Sequence, residues 1–304
     1  MTSTVSGIVA YPVTPFETAD NDVINVEILR LLIDRMIDAG VDAIAPLGST
    51  GEAAYLDHSE WITVATESIQ TAEGRVATIV GVSDLTTAGT VRRAKIAERL
   101  GATAVMALPT SYWRLTEEEV RTHFTTLADS IGIPVMVYNN PATTGIDMQP
   151  ELLFDLFSNV ENITMVKEST GDVTRMHRLR ELSGGELPFF NGSNPLALEA
   201  LRAGAKGWCT AAPCLIPHEI VDFYRVVATG DAEQADTIFR RLRPFLDTIV
   251  SRGLPTTIKS GLKGLGIDAG LPRRPLLPLG DPEAGRLRDL IGECVSHADV
   301  PRGN

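Results

Sequence analysis

Short apolar runs rich in β-formers alternate along most of this chain with longer segments of helical spacing. The runs cover residues 7–11, 43–47, 76–80, 104–108, 135–138, 163–167, 189–191 and 207–210. They read as continuous apolar stretches without period-two alternation, the pattern of strands buried on both faces of a parallel sheet. Their starts recur about every 25–33 residues over most of the chain, the length of one strand–helix unit. Eight such units predict an α/β chain of the (β/α)8 TIM-barrel class. An open doubly wound sheet would need a Gly-rich fingerprint after an early strand. The segment Gly261-Leu262-Lys263-Gly264-Leu265-Gly266 lies late in the chain and inverts that spacing, so it reads as loop and helix-end chemistry.

The intervening segments carry helix signals. Residues 25–39 place Val26, Leu29, Ile33, Met36 and Ile37 on one stripe, and Gly40 follows as a stop. Asp57-His58-Ser59-Glu60 and Thr116-Glu117-Glu118-Glu119 both look like capping boxes, and Asn194-Pro195 like an N-cap with proline in the first turn. Beyond the eighth unit, residues 232–250, 256–265 and 282–296 look helical, with nothing resembling a linker before them. The expected organisation is a barrel over 1–230 and a C-terminal helical extension over 231–304 packed on its side.

Composition narrows the function. At 304 residues with 44% hydrophobic and 22% charged positions, the chain can bury a large core without staples. A net charge of −12 disfavours nucleic acid and anionic membranes, which need clustered positive charge. No apolar stretch approaches the roughly 20 residues that cross a bilayer. The segment Met1-Thr2-Ser3-Thr4 lacks a basic region ahead of a long apolar run, so the cytoplasm is the expected location. Three cysteines make no disulfide framework, and Cys209 and Cys214 have neither CxxC spacing nor a histidine partner nearby. His58, His123, His177, His218 and His297 are scattered without a metal-ligand frame, so no metal site is expected.

In such barrels chemistry gathers at the C-terminal ends of the strands. Lys167 ends the apolar run 163–166, which puts its amine in or near the barrel mouth. Burial disfavours a charged ammonium and frees the amine to attack carbonyls. On position alone, a lysine leaving the strand for solvent is the plainer reading. Tyr138 shifts that balance, because it ends the adjacent run and neighbouring strands lie under about 5 Å apart. A phenol there could shuttle protons at a carbinolamine, although a core aromatic fits the position equally. The loop Gly48-Ser49-Thr50-Gly51-Glu52 permits a tight turn with converging amides, suited to a carboxylate; an ordinary polar turn is the alternative. Glu52 reads as a brace for that loop more than as a catalytic group.

These residues, in this order, resemble the dihydrodipicolinate synthase / N-acetylneuraminate lyase family. The likeness runs from Gly7-Ile8-Val9 and Thr14-Pro15-Phe16 to the C-terminal helices. It rests on Gly48-Ser49-Thr50-Gly51-Glu52, Tyr138-Asn139-x-Pro141 and Val166-Lys167-Glu168-Ser169-Thr170-Gly171-Asp172 together. The resemblance implies a class I lyase that needs no cofactor beyond a lysine Schiff base with its substrate, a small 2-oxo acid or cyclic imino acid. Lys167 would be the Schiff-base lysine and Tyr138 the proton-transfer tyrosine. Ser49 would belong to a hydroxyl relay, and Thr50 and Gly51 would hold the substrate carboxylate. Tyr112 would be lent to a neighbouring subunit's site. Gly192 and Cys209 would line the pocket, Cys209 through its backbone carbonyl. Relatives of this type are commonly homotetramers, dimers of dimers.

Departures from the pattern bear on the substrate. Where the synthases carry an arginine for their second substrate, this chain has Thr143, and a short hydroxyl cannot replace a guanidinium. The motifs Tyr138-Asn139-Asn140-Pro141, Thr143-Thr144-Gly145 and Ser83-Asp84-Leu85-Thr86-Thr87 look most like a catabolic branch. That branch includes dehydrating deaminases of 1-pyrroline-4-hydroxy-2-carboxylate. A retro-aldol lyase of a 2-keto-3-deoxy sugar acid is the alternative. A 4-hydroxy-tetrahydrodipicolinate synthase and a ligand-binding sensor on the same fold stand behind it.

Overall fold

A computed structural model describes residues 5–17 and 23–295. The reading of residues 1–4, the end of the last helix beyond 295, and His297 lie outside the described residues. The strands are β1 (Gly7–Ala10), β2 (Ala43–Ile44), β3 (Ala77–Gly81), β4 (Ala104–Ala107), β5 (Val135–Asn139), β6 (Ile163–Glu168), β7 (Phe189–Asn191) and β8 (Gly207–Thr210). They close in chain order into a parallel barrel, β8 pairing back onto β1. The expected (β/α)8 architecture is therefore the observed one. Its strands are buried on both faces, which is why they read as unbroken apolar runs.

Around the barrel run α1 (Val26–Asp38), α2 (His58–Ala72), α3 (Thr87–Leu100), α4 (Glu117–Asp129), the single turn α5 (Pro141–Thr144), α6 (Pro150–Asn159), α7 (Val173–Leu182), α8 (Ala197–Arg202) and α9 (Pro217–Thr229). Both capping boxes form. Asp57 Oδ1 accepts from the Glu60 amide at 2.8 Å while Glu60 Oε2 accepts from the Asp57 amide at 2.7 Å, and Thr116 and Glu119 repeat the exchange. On α1 the buried stripe is Leu29, Leu32, Ile33 and Met36, so Leu32 takes a core place that the spacing gave to Val26 and Ile37.

Two local readings are corrected. Asn194 does not cap a helix. Residues Asn194–Leu196 form a 3-10 turn before α8, and Asn194 Oδ1 accepts a hydrogen bond from the buried Trp208 indole N–H at 3.2 Å. A buried indole donor left unpaired costs more than a missing cap, so the side chain serves the neighbouring strand β8. The second strand is also shorter than its apolar run. Pro46 has no amide to give, and Leu47 adopts a left-handed backbone at φ 61°, so the chain leaves the sheet early.

Past residue 230, α10 (Ala232–Ser251) lies along α8 and α9. Next, α11 (Leu254–Gly264) packs against the turn Ala212–Cys214, and α12 (Asp281–Val295) covers α10 and α11. Among the described residues no helix is long and apolar enough to cross a membrane.

Candidate active site

Tyr138 and Lys167 are direct register partners on β5 and β6, so their side chains leave the sheet on the same face. Lys167 is only 5% exposed, and its Nζ lies 3.9 Å from the centroid of the Tyr138 ring. The same nitrogen lies 3.9 Å from the centroid of Tyr11, which follows β1. Strand β1 neighbours neither β5 nor β6, so the amine is held across the barrel lumen between two aromatic faces.

Gly192, just beyond β7, makes room for this. A Cβ there would sit 2.8 Å from Lys167 Cε and collide with Ser169 Oγ, so any larger residue would displace Ser169 and the lysine stem. Cys209 on β8 is buried with its thiol beside the Tyr11 phenol, within reach of the Lys167 charge. Burial raises the Cys209 thiol above its ordinary range, while the Lys167 charge opposes the rise. Lys167, Tyr138, Gly192 and Cys209 are thus brought together.

The two phenols differ. Tyr11 donates to Met106 Sδ at 3.1 Å, and burial, with the Cys209 thiol next, raises it well above a phenol's usual value. Tyr138 is oriented from its own strand end, its hydroxyl accepting from Asn140 Nδ2 at 2.9 Å. The next register pair, Asn139 and Glu168, points the other way and locks the two strand ends together. Asn139 Nδ2 donates to Glu168 Oε2 at 3.1 Å, and Arg175 Nε donates to the same oxygen at 3.2 Å.

The 48–51 loop is bracketed by two left-handed non-glycine residues, Leu47 at φ 61° and Glu52 at φ 55°. Such backbone costs on the order of 1–3 kcal/mol per residue and persists only where surroundings impose it. Gly48 lies against the Tyr11 ring, a Cβ there meeting Cδ1 at 3.0 Å, which connects the loop to the lysine. The Gly51 amide closes the turn onto the Gly48 carbonyl, and Thr14 Oγ1 donates to the Gly51 carbonyl at 2.6 Å. The amides of Ser49 and Thr50 have no acceptor among the described residues. Thr50 is buried; Ser49 is exposed and makes no hydrogen bond to Tyr138 within the chain. Thr143 is exposed on α5, and Tyr112 is 89% exposed, stacked edge-on with Trp113 and remote from any partner in the lumen.

Sequence reasoning missed Tyr11, although it is the last residue of the first run and Pro12 follows. The strand-end rule that found Lys167 would have found it too. Lys259 was passed over as well. It forms a buried ion pair with Glu52 at 2.6 Å. Nothing in its local sequence marks it, since its partner lies at the opposite end of the chain.

The fold and site define a parallel (β/α)8 barrel with a buried lysine and a tyrosine as register partners at adjacent strand ends. The profile of the dihydrodipicolinate synthetase family matches residues 4–293, and the chain belongs to that family. It is an enzyme, a class I lyase of this group. The 4-hydroxy-tetrahydrodipicolinate synthase of Shewanella sp. (strain ANA-3) is 32% identical over 288 residues, covering 94% of this chain and 97% of the relative. A Pseudomonas aeruginosa structure of the dihydrodipicolinate synthetase type is 53% identical with a TM-score of 0.94, covering 96% of this chain and all of that one. The 4-hydroxy-tetrahydrodipicolinate synthase of Methylacidiphilum fumariolicum SolV superposes with a TM-score of 0.91 at 28% identity, covering 96% of each chain.

Proposed function

We propose that this enzyme binds a small 2-oxo acid, or the cyclic imine of one, covalently through Lys167. The observation that carries this is the amine held at 3.9 Å from two tyrosine faces in the barrel lumen, with the 48–51 loop, whose Ser49 and Thr50 amides have no acceptor among the described residues, packed through Gly48 against the Tyr11 ring. Condensation joins Nζ to the substrate's C2 with loss of water. Tyr138 would carry the proton between the carbinolamine and the departing hydroxyl. Loss of a proton from C3 then turns the iminium into an enamine. The Ser49 and Thr50 amides would hold the carboxylate. No protein-bound cofactor enters this scheme.

For the substrate, Thr143 favours a reaction with no second anionic partner. Arg175, which reaches the chain just beyond that segment, is committed to Glu168, to Asp147 at 3.0 Å and to the Met148 carbonyl. A dehydrating deaminase of 1-pyrroline-4-hydroxy-2-carboxylate fits this. Lys167 adds to C2 of the cyclic imine, the ring nitrogen leaves as an amine, and loss of a C3 proton gives the enamine, which expels the 4-hydroxyl as water. A proton shift from C5 to C3 then turns the C5 amine into an imine, and hydrolysis of that imine and of the Lys167 iminium releases ammonia and a semialdehyde. The second reading, condensation of pyruvate with an aldehyde as in 4-hydroxy-tetrahydrodipicolinate synthase, is favoured by the names of the relatives at 32% identity. Retro-aldol cleavage of a 2-keto-3-deoxy sugar acid would use the same enamine. The mouth-facing Tyr112 favours assembly with further copies, up to the dimer of dimers common in this group.

The test is borohydride reduction in the presence of pyruvate, followed by peptide mass mapping. The expected result is one reduced adduct, on Lys167. An adduct on Lys206, Lys259 or Lys263, or none, overturns the reading. Ammonia release from the cyclic imine then selects the deaminase; condensation of pyruvate with aspartate semialdehyde selects the synthase.

A further inference from the structure

Glu52 closes the 48–51 loop, and its side chain has no solvent exposure. Both carboxylate oxygens are held from the C-terminal part of the chain. Oε1 lies 2.6 Å from Lys259 Nζ on α11, and Oε2 accepts from the Arg273 amide at 2.6 Å. Lys259 is equally buried. Its Nζ also donates to the Leu271 carbonyl at 3.0 Å and sits 4.1 Å from the Phe16 ring centroid. The strap that follows α11, residues 265–273, also reaches the exit of β1, where the Phe16 amide donates to the Ala269 carbonyl at 3.1 Å. Two residues before Phe16, Thr14 holds the Gly51 carbonyl. The loop is therefore gripped from both sides by one continuous set of contacts.

Apolar side chains of similar volume would fill this space without desolvating two charges. What an ion pair adds is direction. A carboxylate with each oxygen fixed sets the backbone of the residue that bears it, here one held at φ 55° against its steric preference. Two and three residues before it stand the Thr50 and Ser49 amides, which have no acceptor among the described residues, while the Gly51 and Glu52 amides close the turn onto the Gly48 and Ser49 carbonyls.

We propose that Lys259 is a positioning residue of the active site: through Glu52 it holds the 48–51 loop in the geometry that receives the substrate carboxylate. This rests on the Schiff-base reading above, with the carboxylate in that loop. Lys259 itself does not meet substrate.

The test measures borohydride trapping on Lys167 as a function of pyruvate concentration, in the full chain, for Lys259→Met, Lys259→Arg and Glu52→Gln. Lys259→Met and Glu52→Gln are expected to raise the half-saturating pyruvate concentration about tenfold or more, the scale on which misplaced contacts weaken binding. Trapping at saturation should persist on Lys167. Lys259→Arg, which keeps the charge, should restore half-saturation to within about threefold of wild type. Glu52→Gln is nearly isosteric and answers the question even if Lys259→Met does not fold. Unchanged half-saturation in a folded Glu52→Gln variant overturns this inference alone. Failure of the wild type to trap pyruvate overturns it together with the reading beneath it.

Discussion

At Lys167 two tyrosines present their rings to one nitrogen at the same distance, and their hydroxyls have different partners. A cation–π contact is worth about 0.5–2 kcal/mol, enough for either ring to centre the amine, so the hydroxyls must distinguish them. The Tyr11 phenol is turned to Met106 and Cys209 and is raised by burial, so it stays protonated through the alkaline range and supplies no base. The Tyr138 hydroxyl is held by Asn140 at the strand end where substrate would arrive. Tyr138→Phe is therefore expected to lower turnover by on the order of 10²-fold with the fold intact. Tyr11→Phe, which keeps the ring face, should stay within a few-fold of wild type. Steady-state rates of the two variants, with circular dichroism as a control, check this; equal losses would show that the Tyr11 hydroxyl also moves protons. Lys167 and Tyr138 were legible in the sequence because a strand end and its neighbour's end are fixed by the barrel itself. Cys209 was legible as a pocket residue, yet its thiol beside Tyr11 was not, since which atom faces the lumen depends on the twist of β8.

Elements decide how the 48–51 loop is held. Strand β2 ends early at Pro46 and Leu47, and the chain between there and α2 is fixed by contacts from β1 and from α11 with the strap after it. The two glycines of the loop could be read as a turn and Glu52 as its brace, but not what Glu52 is tied to, because Glu52 and Arg273 lie 221 positions apart. Pairings across such separation leave no periodic trace. The brace also titrates. Burial pulls the Lys259 ammonium down from 10.5 to about 8, against the opposing pull of Glu52. Its charged neighbours are Glu52 and Arg273, the latter bidentate to Glu60 at 2.7 Å. With the folded value below the unfolded one, the unfolded chain binds more protons between about pH 8 and 10.5. This group therefore makes the fold more stable as pH rises through that window. The ion pair behaves oppositely: it is present below about pH 8 and fades above it. Half-saturating pyruvate in the trapping assay should accordingly increase between about pH 7 and 9 in the wild type. It should stay flat in Lys259→Arg, whose guanidinium remains charged throughout. Parallel profiles in the two proteins would exclude Lys259 as the titrating group.

For the whole molecule, the barrel was legible because the strands are buried on both faces and several crossover helices, α2 and α4 above all, carry their own start signals. Asn194 shows where that reading ends: a local cap signal was overridden by a buried indole on β8 that needed an acceptor. Tyr112 and Ser49 show a second boundary, since neither finds a partner in the lumen within one chain. Tyr112 and Trp113 are 89% and 78% exposed, and Leu85, which shares a hollow of about 320 Å³ with Thr110 and Ser111, is 66% exposed. Large apolar side chains grouped at a barrel mouth mark a contact surface more often than a solvated one. If a second copy covers this face and inserts Tyr112 beside Ser49 and Tyr138 of its partner, each active site is built from two chains. Two inactive variants should then complement. Lys167→Ala removes the nucleophile and Tyr112→Ala removes the lent residue. A mixed dimer keeps one complete site, in which Lys167 of one subunit meets Tyr112 of the other. Co-refolding the two at equal concentration should restore about a quarter of wild-type turnover if pairing through an isologous interface is random. Activity no greater than the sum of the separate variants would place Tyr112 outside the neighbouring site and leave Tyr138 to move protons without it.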